Sequence, residues 1–146
     1  GATTNKVVSQ TFGFDATTQE FAHSQFAMPK SWDESTLTFV PVWSHASTTT
    51  NFGVVWALEA MARSDNEALD TAMGTAVTST DTGGTTNNVY TGPESSAMTV
   101  GSTPTELDVV TFQIKRNPAD ASDTMAVDAR LHGIKLFYTT NAATDA

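Results

Sequence analysis

The chain has 146 residues, no cysteine, and a formal net charge of −9 from 16 acidic and 7 basic residues. The absence of cysteine excludes disulfides and thiolate metal sites, so packing has to stabilise the fold. The acidic balance argues against binding to nucleic acid or to an anionic membrane surface, because both depend on exposed cations. No apolar run is long enough to span a bilayer, and the first residues lack the pattern of a signal peptide.

Two-residue alternation of apolar and polar side chains is the dominant pattern, and threonine, which favours strands, supplies 26 residues. Strands are predicted, in chain order, over residues 6–14, 20–28, 36–44, 52–61, 71–80, 95–100, 109–116 and 125–139. Pro41 predicts an edge or a bulge in its strand, because proline cannot donate a hydrogen bond to a neighbour. Residues 67–72 are predicted to form one or two helical turns after an N-cap.

Two of the predicted strands have features that bear on the core. Residues 52–61 can also be read as a helix, but the valines and aromatic residues at its start favour a strand. In residues 125–139 the apolar phase switches at Gly133, which predicts a β-bulge or a bend between sheets. Opposing sheets are expected to close over Trp43, Trp56, Phe112 and Leu131.

About eight short strands separated by regular turns predict an all-β fold, an antiparallel β-sandwich that is jelly-roll-like. The whole chain, residues 1–146, is expected to form one domain, with residues 1–5 and 140–146 as arms or tails. No internal repeat or linker divides it.

No catalytic, metal or cofactor site is predicted. His23, His45 and His132 are isolated, whereas a zinc site needs three or four convergent ligands. The carboxylates that could serve a glycosidase or bind calcium, such as those in residues 65–70 or Asp120 with Asp123, occur in turns. Capping of turns is the favoured role for such acids.

Aromatic side chains could instead serve a binding surface. Trp43 and Trp56 lie within apolar alternation, which favours the core. Trp32 and Tyr90 lie outside it, so we expect them to be exposed and to contact a partner protein or a glycan.

Charged residues surround the last predicted hairpin. Pairing of Arg116 or Arg130 with Asp123 or Asp128 across the strands would set its register. As exposed pairs they would contribute at most about 1 kcal/mol each.

The chain resembles small β-sandwich proteins encoded among the virion genes of tailed bacteriophages. The resemblance runs from about Phe12 to Tyr138. It includes the segment FDATTQE at residues 14–20, the VVW strand at residues 54–56, and the run Arg116, Asp120, Asp123, Thr124. It implies a virion structural role, typically as a trimer, and carries no catalytic residues.

The leading functional hypothesis is a non-enzymatic capsid decoration or cement protein. Its partners would be the major capsid protein, or another virion protein, and copies of itself, and assembly would take place in the host cytoplasm. The alternative is a head or tail fibre domain that recognises host surface glycan. A glycoside hydrolase is the third and least favoured hypothesis.

Overall fold

The computed structural model describes residues 9–46 and 52–144, which contain eight β-strands. The strands are β1 (Phe12–Phe14), β2 (Phe21–Ala27), β3 (Trp32–His45), β4 (Phe52–Arg63), β5 (Val77–Gly83), β6 (Tyr90–Thr91), β7 (Val109–Arg116) and β8 (Ala129–Thr140). The strand predicted over residues 52–61 is confirmed, because β4 is extended throughout. None of the described segments forms a helix long and apolar enough to cross a membrane.

The strands form two four-stranded antiparallel sheets, with the orders β1-β8-β3-β6 and β2-β7-β4-β5. The pairs β1–β8, β2–β7, β3–β6 and β4–β5 are nested, so the first strand pairs with the last and the two middle strands with each other. Successive nested pairs alternate between the two sheets. This is the topology of a jelly roll, so the predicted antiparallel sandwich is confirmed.

The core lies between the sheets and is built around indole rings from β3 and β4. Trp43 and Trp56 are fully buried, with ring centroids 6.5 Å apart. The Nε1 of Trp43 donates a hydrogen bond to Oδ2 of Asp81 at 2.8 Å, which satisfies a polar group removed from water. Phe112 and Leu131 belong to the same buried cluster, as predicted.

A β-bulge interrupts the pairing of β3 with β8. Val42 faces Gly133, whereas the next residue, Trp43, faces Leu131, so His132 is the extra residue on β8. A bulge re-aims the side chains beyond it, which explains the switch of apolar phase. The irregularity predicted at Gly133 is confirmed.

Pro41 occupies an internal strand, so an edge location is wrong. β3 lies between β8 and the two-residue strand β6, and the register shift falls one residue after the proline. The carbonyl of Pro41 accepts a hydrogen bond at 2.9 Å from the amide of Gly92, which lies just beyond the end of β6. Pro41 has no amide hydrogen to donate back to Gly92, so this pair makes one hydrogen bond instead of two, and β6 ends at Thr91.

The helical turns predicted over residues 67–72 are wrong. A turn lies just before this segment at residues 65–66, and the segment itself contains only a bend at residues 69–70. The carboxylate of Glu67 accepts a hydrogen bond from the amide of Ser64 at 2.9 Å. The hydroxyl of Ser64 donates to Asp108 at 2.6 Å and thus joins a neighbouring turn instead of capping a helix.

Several strand boundaries also differ from the prediction. β5 starts at Val77 instead of residue 71, and residues 95–100 make an isolated bridge between Leu37 and Met98 instead of a regular strand. Residues 1–8, with the predicted start of the first strand and the first arm, lie outside the described residues, as do residues 145–146. Thr140 still pairs with Trp32, and the amide of Asn141 donates to the carbonyl of Ser31.

Candidate functional site

Strand β2 forms an edge of its sheet and is exposed along almost its whole length. It pairs with β7 in a regular seven-residue register, and no described strand pairs with its other side. Its sequence, FAHSQFA, contains no Lys, Arg, Asp, Glu or Pro. Proteins usually protect an exposed edge with such residues, so β2 has a free backbone edge without the common safeguards against pairing.

Two phenylalanines of β2 project on opposite faces of the sheet. Phe26 stacks on the core residue Phe112, with centroids 4.9 Å apart, yet remains 43% exposed. Phe21 is 49% exposed and lies under the ammonium group of Lys115, which is 5.5 Å from the ring centroid. Between them, His23 makes a hydrogen bond of 2.6 Å with Gln113 on β7. Among the described residues, the strand is therefore held on one side by β7 and has no neighbour on the other side.

An apolar opening lies beside β2, where the two sheets separate. β1 covers only the first three residues of β8, so the core is reached between the rest of β8 and β2. The resulting cavity has a volume of about 210 Å³. Its lining is mostly apolar and consists of Phe12, Ala22, His23, Ser24, Leu58, Phe112, Ile114, Leu131, Gly133 and Ile134. Phe12 is largely exposed at this opening.

Trp32 is buried, so the prediction that it is exposed is wrong. Its side chain is 4% exposed and belongs to the core cluster. A turn in which the amide of Trp32 donates to the carbonyl of Pro29 precedes it, and β3 begins at the tryptophan itself. The indole ring therefore offers no surface to a partner or a glycan in this structure.

Tyr90 is partly exposed, but both its ring and its hydroxyl make internal contacts. The ring stacks on Trp43, with centroids 5.0 Å apart. The hydroxyl accepts hydrogen bonds from the amides of Gly84 and Thr85 and donates to the carbonyl of Thr85 at 3.0 Å. These contacts give Tyr90 a structural role, because they close the turn between β5 and β6.

Arg116 and Asp123 form an ion pair that is buried instead of exposed. Their side chains are 0% and 1% exposed, with Nε to Oδ2 at 2.9 Å and Nη2 to Oδ1 at 2.7 Å. Arg116 also donates to the carbonyls of Met125 and Val127, and Asp123 accepts the amide hydrogen of Val55. The pair thus holds the β7–β8 loop against β4, a larger role than setting the register of a hairpin.

The other two predicted hairpin residues do not join this network. Arg130 donates to Oδ1 of Asn87 at 3.4 Å, and the two ion pairs among the described residues do not include it. Asp128 and Arg130 line the same shallow depression on the surface. The structure therefore brings together one of the predicted charge pairs.

Two carboxylates have perturbed acidities, and both cap turns. Hydrogen bonds from the amide of Thr18, and from the hydroxyl and amide of Thr17, lower the pKa of Asp15 from 3.8 to about 2. For Asp108, burial is the largest influence and raises the pKa, but hydrogen bonds from Ser64 and Thr105 together outweigh it and lower the pKa below 3.8. A general acid at neutral pH needs a raised pKa, which neither group has.

Within residues 9–46 and 52–144, no three His, Asp or Glu side chains converge as a metal site would require. The strongest feature of this part of the chain is therefore the β2 edge with its apolar opening. Sequence reasoning missed it, because an uncharged run such as residues 21–27 does not distinguish an edge strand from an internal one.

Comparison with known proteins identifies no relative. No protein-family model, no curated protein and no solved structure matches the chain. The function therefore has to be inferred from the geometry of the β2 edge more than from the fold, because jelly-roll proteins have many different functions.

Proposed function

We propose that this protein is a non-enzymatic structural component of a bacteriophage virion, which decorates the capsid. It binds the major capsid protein, or another virion protein, together with copies of itself. The sequence pattern from about Phe12 to Tyr138 is one reason to expect this role. Its jelly-roll fold supports it as well, since viral capsid domains are among the proteins that use this fold.

The single observation that carries the proposal is the unprotected β2 edge. A free strand with exposed phenylalanines and no charge is a surface suited to pairing with another chain. Main-chain hydrogen bonds and burial of the apolar opening would supply the binding free energy. In a protein with a net charge of −9, an uncharged surface of this kind favours contact with protein over contact with nucleic acid.

The test is incubation of the purified protein with undecorated phage capsids, followed by sedimentation and calorimetry. We expect saturable binding at a fixed ratio to the major capsid protein and a higher melting temperature of the capsid. Mass spectrometry of intact virions should give a copy number comparable with that of the major capsid protein. Absence of binding and of stabilisation would exclude the decoration role, and a copy number of only a few would indicate the tail.

A second candidate function is glycan recognition, which a depression on the other sheet favours. It has a volume of about 260 Å³ and is lined by Thr36, Thr38, Glu94, Phe137, Tyr138 and Thr139. Phe137 and Tyr138 are both exposed, and the hydroxyl of Thr38 is already bonded to the carboxylate of Glu94. An aromatic ring beside hydroxyl and carboxylate groups is the composition of a sugar-binding surface.

A glycan array tests this second candidate. Binding that is lost in Phe137→Ala and kept in Phe21→Ala, which removes an exposed ring from the other sheet, would support it. An array without any bound glycan would exclude it at this site.

A further inference from the structure

The sequence of β2 is complementary to itself when it is read in the opposite direction. Placing two copies antiparallel about Ser24 sets Phe21 opposite Ala27 and Ala22 opposite Phe26. Each large side chain then faces a small one. Directly opposed residues of antiparallel strands lie on the same face of a sheet, so these pairs would be in contact.

The polar positions of β2 fit the same register. His23 lies opposite Gln25 on each side of the axis, which repeats the His23–Gln113 pairing that β2 already makes with β7 at 2.6 Å. No charged residue lies within residues 21–27, although the chain has a net charge of −9. The long-range repulsion between two acidic copies is thus not increased by like charges facing each other across the contact.

We infer that β2 pairs with β2 of a second copy, antiparallel and centred on Ser24. The two four-stranded sheets then become one eight-stranded sheet that runs through both copies. The contact is two-fold and uses the same surface on both chains. It covers Phe21 and Phe26, which the single chain leaves half exposed.

The other edge of the same sheet does not fit a second copy in this way. β5 carries Asp81, whose carboxylate accepts the indole hydrogen of Trp43, and Ser79 of β5 donates to the carbonyl of Pro93. A self-pairing of β5 about its central residue, Thr80, would set Asp81 opposite Ser79, and both of these side chains are already bonded within the chain. Among the described strands, β2 therefore has the better edge for self-association, and β5 provides a matched control.

This inference rests on the proposed function, which includes self-association, but it replaces the trimer implied by the sequence resemblance with a two-fold pair. The test is sedimentation equilibrium of the isolated protein over a range of concentrations. We expect a monomer–dimer equilibrium. A monomer at all concentrations, or a trimer, would overturn the inference.

Two variants locate the contact. Ser24→Lys and Ser24→Glu each place like charges in opposition at the axis of the interface, so each alone should weaken dimerisation at least about tenfold. A mixture of the two variants should restore association, because the charges then attract each other. Thr80→Lys, which adds the same charge to the exposed face of β5, should dimerise like the unmodified chain.

Ser24 and Thr80 are both exposed, so circular dichroism should show an unchanged fold in all three variants. Undiminished dimerisation of Ser24→Lys, or failure of the mixture to associate, would place the contact elsewhere. A chain that decorates capsids but remains monomeric would contradict β2 pairing, and with it the proposed self-association, but would leave the proposed capsid binding intact. A dimer that does not bind capsids would support β2 pairing and contradict the proposed capsid binding.

Discussion

Removal of the carboxylate of Asp123 should destabilise the fold more than loss of any exposed charge. In Asp123→Ala, the guanidinium of Arg116, which has no exposed surface, loses two hydrogen bonds at 2.7 and 2.9 Å and its only ion-pair partner among the described residues. Breaking one side of a buried ion pair costs about 3–5 kcal/mol, because the remaining charge stays buried and uncompensated. The amide of Val55 also loses its acceptor.

For a chain of this size, that loss should lower Tm by roughly 10 °C. The assay is denaturation in urea followed by tryptophan fluorescence, since Trp43 and Trp56 are buried in the core. The midpoint should fall while the slope of free energy against urea stays the same, because the surface exposed on unfolding is nearly unchanged.

The matched control is Lys115→Met, which breaks the ion pair with Glu59 on the surface of the sheet. That pair has a similar N–O distance of 3.0 Å, but both side chains retain access to solvent. Its loss should cost about 1 kcal/mol or less. If Asp123→Ala cost no more than Lys115→Met, the buried pair would not be what holds the β7–β8 loop in place.

Three further predictions follow from the backbone and from the turns. Leu107→Gly should stabilise the chain by about 1 kcal/mol in urea denaturation, because Leu107 is exposed and has a φ of 70°, which glycine adopts without strain. Gly74→Ala should destabilise the fold by roughly 1–3 kcal/mol, because the added Cβ would lie 2.5 Å from the carbonyl oxygen of Thr99. Gly133→Ala is the control: its Cβ would meet no atom within 4 Å, so it should change stability by less than about 1 kcal/mol. The pKa of Asp15 is lower in the folded state than in the unfolded state. The ionised carboxylate therefore stabilises the fold fully above pH 3.8, and this stabilisation is lost as the pH falls through about 2. Asp15→Ala should therefore show a shallower loss of stability between these values in an acid titration, and a titration with unchanged slope would contradict that role.

The burial of Trp32 and Arg116 could not be predicted from their neighbours in the sequence. Both lie next to charged residues in the sequence, which favours solvent exposure. Trp32 is covered because β3 begins at that residue and pairs with the far end of β8. Arg116 is covered because the following loop folds back over it and supplies a carboxylate and two carbonyls. In both cases the covering groups are distant in sequence or arise from a loop conformation that has no periodic signal.

Side-chain alternation along the chain was enough to determine that the fold is all-β, where the long strands lie, and which of their faces form the core. The phase switch at Gly133 likewise indicated the bulge, because both are consequences of the two-residue period of a strand. Tertiary structure alone decided that β2 is an edge. Whether a strand has one neighbour or two depends on pairings between distant segments, and an exposed strand in the middle of a sheet can have the same sequence pattern.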